Sequence, residues 1–98
     1  MKKTKITING VEYPFRQTMG SMVRFKQMQG IEVAEIKEGD TENLCAYFYC
    51  IIKSACNADG VEFKDDFLSF CDKLTAEDIA EMTRQFEEGN EEKKTENL

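Results

Sequence analysis

Apolar and polar residues alternate at the start of the chain, then give way to helical spacing. In Lys5-Ile-Thr-Ile-Asn-Gly-Val-Glu-Tyr-Pro-Phe15, Ile6 and Ile8 point one way, while Val11, Tyr13 and Phe15 line one face of a return strand. Asn9-Gly10 sits between the two segments and accepts the positive φ angles of a tight type I′ turn, so the segment reads as a β-hairpin. Pro14 lacks an amide hydrogen and marks an edge or the strand's end. A lone hairpin is only marginally stable in water, so this one must lie on the helices that follow.

Thr18 or Ser21 can cap a first helix, which Gly30 should stop. Met19, Met22, Phe25 and Met28 recur every third residue along it. A stripe of that period drifts by about 60° per step on an α-helix. With Val23 added, the apolar arc exceeds about 200°, more than the roughly 100° a core-facing stripe needs. The excess is either covered by the hairpin or offered to a partner. Met19, Met22, Phe25 and Met28 are therefore the candidate partner-binding surface, since methionine-rich surfaces adapt to what they bind.

Residues 31–40 read as an acidic connecting loop in which Ile31, Val33 and Ile36 are irregularly spaced. Asp40 or Thr41 can cap a second helix, Thr41–Asn57. Leu44, Phe48, Ile51, Ile52 and Ala55 share one face of it, with Cys45 and Tyr47 at the margins. Lys53, Ser54 and Ala46 fall on the opposite side. So apolar a helix belongs at the centre of the domain, and Asn57-Ala-Asp-Gly60 ends it as a turn. Phe67, Phe70, Cys71 and Leu74 follow the i, i+3, i+4, i+7 pattern of a third helix, with Asp65 and Asp66 near its start. Thr75-Ala-Glu-Asp78 resembles a capping box opening a fourth, with Ile79, Met82, Thr83 and Phe86 on one face and Gly89 as its stop. The expected fold is α+β: an N-terminal hairpin packed on a small bundle of about four helices, in a single domain over residues 1–89. Residues 90–98 offer almost nothing to bury and read as a disordered acidic tail.

Length and composition fit one small domain: 98 residues, 41% hydrophobic and 33% charged. The longest apolar run, Leu44 to Ile52, is far shorter than the roughly 20 residues that cross a bilayer. The basic start leads into alternation, not into the continuous apolar stretch of a secretory signal, which points to the cytoplasm. Net charge is −6, split into +5 over residues 1–30 and −11 over residues 31–98. The acidic total argues against nucleic acid. Only Lys2, Lys3, Lys5, Arg16, Arg24 and Lys26 keep that option open. The same polarity could bring copies of the chain together head to tail, or steer an oppositely charged partner.

Chemistry is sparse. Histidine is absent, which removes the commonest general base and metal ligand. There is no glycine-rich phosphate loop. The four cysteines, Cys45, Cys50, Cys56 and Cys71, form no C-x-x-C pair and occupy apolar or small-residue helix positions. Cys45 and Cys56 lie about 16 Å apart along one helix, too far to share an ion, and buried cysteine ordinarily behaves as a small apolar residue. Asn57-Ala-Asp-Gly-Val-Glu-Phe63 imitates half of a calcium-binding EF-hand loop. Aligning Gly60 with that loop's glycine puts Ala55 at the first ligand, Glu62 where an apolar residue belongs, and Asp66 in place of the long bidentate glutamate. No catalytic residue, cofactor or metal is expected.

The order of elements resembles the tail assembly chaperones of long-tailed bacteriophages and their prophage remnants. The likeness rests on Ile6-Thr-Ile-Asn-Gly-Val-Glu-Tyr13, on Met22-Val-Arg-Phe-Lys-Gln-Met-Gln-Gly30, on the Leu44-to-Ala55 helix and on Phe63-Lys-Asp-Asp-Phe67, in that order. It covers about residues 4–88. The four cysteines and the Asp59-Gly60 turn are not part of it. The resemblance implies a non-enzymatic protein of the bacterial cytoplasm. It would coat the tape-measure protein, keep its apolar helical stretches soluble and help recruit the tail tube protein. In many members a programmed frameshift adds a further domain that contacts the tube protein. The rival expectation is a small intracellular adaptor or regulatory domain that binds another protein and is unrelated to phage.

Overall fold

A computed structural model describes residues 5–96, with side chains through Glu88. Strands β1 (Lys5–Ile8) and β2 (Val11–Pro14) pair antiparallel, with Ile6 opposite Tyr13 and Ile8 opposite Val11. Asn9 and Gly10 turn the chain at φ 51° and 80°, the two positive values a type I′ turn requires. Pro14 is the last residue of its strand, where its missing donor costs no ladder bond.

Helix α1 (Met19–Gln29) starts at a reciprocal cap. The Thr18 side chain accepts from the Ser21 amide at 3.1 Å, and Ser21 Oγ accepts from the Thr18 amide at 3.0 Å. Gly30 closes it in the left-handed conformation, φ 78°. A single 3-10 turn, Val33–Glu35, breaks the connection that follows. Helix α2 (Thr41–Asp59) is capped by Asp40 and runs two residues beyond Asn57, up to a left-handed Gly60. Helix α3 (Phe67–Asp72) is capped by Asp66. Ahead of α4 (Ala76–Glu96), the Thr75 amide donates to Asp78 Oδ2 at 3.0 Å while the Asp78 amide donates to Thr75 Oγ1 at 3.1 Å. The capping box is therefore present with aspartate in the place of glutamate.

The structure corrects the expected stop at Gly89, because α4 runs through it to Glu96. An interior glycine costs a helix only about 1 kcal/mol relative to alanine, and the glutamates and lysines that follow are good helix formers. The disordered tail expected over 90–98 falls on residues whose side chains lie outside the described ones, as does the backbone of the last two.

The fold is α+β, a hairpin on helices, and α2 is its axis. From Cys45 to Cys56 every residue but Lys53 is buried. This corrects the outward side expected for Ala46 and Ser54. Those residues are 0% and 6% exposed because α1 lies antiparallel on that side. Gly20 meets Ser54 at one end, and Gln29 hydrogen-bonds Asn43 at the other. Ala46, Cys50 and Ser54 recur at i, i+4 and i+8, a row of small side chains on one face. The hairpin packs on α2 and α4, with Phe15 edge-on to Phe48 and Gln85 Nε2 donating to the Lys5 carbonyl at 3.1 Å. Phe63, Phe67 and Phe70 close around Tyr49, whose hydroxyl donates to the Asp65 carbonyl at 2.9 Å. The Tyr49–Phe67 pair is set edge to face and the other two are tilted, and such aromatic contacts add to simple burial. Among the described residues no helix is long and apolar enough to cross a membrane.

Candidate functional site

The period-three stripe on the first helix does not form one surface. Met19 is 75% exposed, Met22 is half-buried and Met28 is 38% exposed, but Phe25 is 0% exposed and sits edge-on to Tyr47 in the core. Phe25 is thus removed from the candidate partner surface. The cause is geometric. Positions 21, 25 and 29 fall together on the side that α2 covers, whereas positions 19 and 28 are about 180° apart around the helix axis. Two separate edges remain. Met19 and Val23, the latter 53% exposed, adjoin on one. Met28 lies on the other, its sulfur 4.0 Å from Cys50 Sγ, in a shallow cleft shared with Tyr49 and the cations Arg24 and Lys53.

A groove of about 400 Å³ opens elsewhere, between the turn before α2, the start of α2 and the middle of α4. Its apolar lining is Val33, Ile36, Leu44, Tyr47 and Phe86. Four of these are half-buried, and only Tyr47 is fully enclosed, its hydroxyl bonded to Gln17 Oε1 at 2.8 Å. The rim carries Glu38, Asp40 and Glu87 against a single cation, Lys37. Asp40 is occupied in capping α2. Glu38 and Glu87 are exposed and have no ion-pair partner among the described residues. Sequence reasoning missed this groove. Val33 and Ile36 carry no helical period, and Leu44 and Phe86 looked like ordinary core positions of two separate helices.

The basic residues of the N-terminal segment are largely neutralised. Lys5 lies 3.6 Å from Glu12, Arg16 forks onto Asp59 at 2.6 and 2.9 Å, and Lys26 reaches Glu32 at 3.0 Å. Of the four described cations in that set, only Arg24 lacks an acidic partner, and Lys2 and Lys3 lie outside the described residues. The hydrogen bonds from Arg16 hold the Asp59 carboxyl below its ordinary range, so the acid of the EF-like turn serves a hairpin-to-helix tether. Among the described residues no three or more histidine, cysteine, aspartate or glutamate side chains cluster as metal ligands would.

All four cysteines are free thiols. Burial pushes Cys50 up to about 11. Burial and the neighbouring Cys45 push Cys71 up to about 11 as well, and burial raises Cys45 and Cys56. Such thiols stay protonated at neutral pH, and it is the thiolate that attacks or ligates.

No protein family, curated protein or solved structure matches the chain.

Proposed function

We propose that this protein is a non-enzymatic tail assembly chaperone of the long-tailed phage type, acting in the bacterial cytoplasm. It binds the tape-measure protein through apolar surface and aids assembly of the tail tube. The observation that carries this reading is the apolar surface a small, closed fold leaves uncovered. Met19 and Val23 stand 75% and 53% exposed on α1, while α2 already holds a complete core. Spare apolar surface on a small domain is what a protein-binding surface needs. The pairing of Lys5, Arg16 and Lys26 with acids supports a protein partner over a nucleic acid.

The test is co-purification with the tape-measure protein encoded in the same gene neighbourhood. The wild-type chain should retain it, and the double variant Met19→Ser/Val23→Ser should stay folded and retain less of it. A chain that ignores the tape-measure protein, or a neighbourhood with neither tape-measure nor tube genes, would leave the adaptor reading in its place. Mass spectrometry of the native gene with its downstream DNA gives an independent check. A longer product sharing residues 1 to about 90 is the outcome expected of a frameshifting chaperone gene.

A further inference from the structure

The 400 Å³ groove combines two features that the Met19–Val23 edge of α1 lacks. It is concave, and it carries an excess of carboxylate on its rim. Val33, Ile36, Leu44 and Phe86 converge from three separate segments, so the concavity belongs to the tertiary fold. Filling it would cover apolar surface that the chain's own core leaves half-exposed, at about 25 cal/mol per Å² removed from water. Its volume lies at the low end of ordinary binding pockets, room for roughly two or three apolar side chains and not for a large cofactor.

The rim decides what else the occupant carries. Among the exposed acids elsewhere, Glu12, Asp59, Glu32 and Glu62 pair with Lys5, Arg16, Lys26 and Lys64, whereas Glu42, Asp72 and Glu77 pair with no cation among the described residues but line no comparable apolar trough. Glu38 and Glu87 sit on the groove edge, exposed and without such a partner among the described residues. Carboxylates beside an apolar trough select a segment with apolar anchors and flanking cations, and repel an acidic one.

We infer that this groove is a docking site for an amphipathic helix of a partner protein, one with apolar anchors at helical spacing flanked by lysine or arginine. The anchors enter between Ile36, Leu44 and Phe86, and the cations meet Glu38 and Glu87. Such seating follows the general helix-in-groove mode of recognition. The inference shares with the proposed function only the premise that the chain binds another protein, and it places that contact on a different face from Met19 and Val23.

The experiment uses the full chain and two synthetic helical peptides, each with leucines at i, i+3, i+4 and i+7. One has lysine flanks and the other glutamate flanks, and binding is read by fluorescence anisotropy. The lysine-flanked peptide should bind, more weakly as salt rises, and the glutamate-flanked one should not. Ile36→Asp should weaken binding at least about tenfold, equivalent to about 1.4 kcal/mol, with thermal unfolding measured alongside. Glu38→Lys/Glu87→Lys changes only exposed side chains, so it keeps the fold and should reverse the preference between the peptides. Equal binding of both peptides, or binding unchanged in both variants, would overturn the assignment. So would concentration-dependent self-association that Ile36→Asp abolishes, since the groove would then hold a second copy. A groove variant that loses the peptide yet still retains the tape-measure protein would uphold the groove and separate its fate from that of the proposed function.

Discussion

Phe25 and Met19 lie six positions apart on one short helix and face opposite environments. Truncating Phe25 to alanine removes a ring wedged against Tyr47 and should cost about 3–5 kcal/mol, a large part of what a domain this size possesses. Met19→Ser should change stability by less than about 0.5 kcal/mol. Urea unfolding of the two variants measures the contrast, and similar losses would refute the division of α1 into a buried and an open side. Gly20 is a subtler case. A β-carbon built there would meet Ser54 Oγ at 3.5 Å, an ordinary contact. The close approach of α1 to α2 therefore does not require glycine. Gly20→Ala should leave the protein as stable as before or stabilise it by up to about 1 kcal/mol through helix propensity. The thiols define a further residue-scale expectation. Cys50 and Cys71 hold their protons to about pH 11 in the folded state, while in the unfolded chain they titrate near about 8.5. Between those values the folded protein binds more protons, so stability falls as pH rises through the window. Denaturation midpoints measured from pH 8 to 11 should decline, and Cys50→Ala/Cys71→Ala should flatten that decline.

At the scale of elements, one electrostatic tether joins the hairpin's exit to the end of the central helix. Arg16 forks onto Asp59, and both side chains are only partly covered, so solvent screens the pair. Asp59 is held below its usual range by Arg16, and Asp66 by its bonds to Ser69 at the start of α3. Each contributes stability that is present above the unfolded carboxylate value near about 4 and is lost as pH falls through the lower folded value. Acid titration of Asp59→Asn should show a shallower loss, and amide exchange in the hairpin should quicken. Most elements were legible from local signals. Asn9-Gly10, Thr18, Asp40, Asp66 and Thr75 mark boundaries through turn and cap chemistry that depends on a few neighbouring residues. Errors arose where a distant element intervenes. Ala46 and Ser54 looked like an outer side because small and polar residues usually face water, and only the arrival of α1 buries them. Gly89 looked like a stop because glycine commonly ends helices, but termination also needs a following chain that leaves the helix, and here the following residues continue it.

At the scale of the whole molecule, the charge gradient and the surface tell different stories. The sequence divides into a +5 segment and a −11 remainder. Yet folding sets Lys5, Arg16 and Lys26 against acids and leaves carboxylates uncompensated around the groove. The candidate site was only partly legible for the same reason. Met19 and Met28 do reach the surface, but no helical period announces that Val33, Ile36, Leu44 and Phe86 will meet. That meeting depends on three segments arriving together, which local spacing does not encode.

The bond from Gln85 to the Lys5 carbonyl spans 80 positions of sequence. During synthesis at about 5–20 residues per second, the first strand would wait roughly 4–16 s for the helix that completes its seat. Through that interval Ile6 and Ile8, 5% and 1% exposed in the finished fold, lack part of their cover. The hairpin thus keeps apolar surface open until the last helix arrives, and a nascent chain held on a ribosome stalled ahead of that helix would stay unclosed.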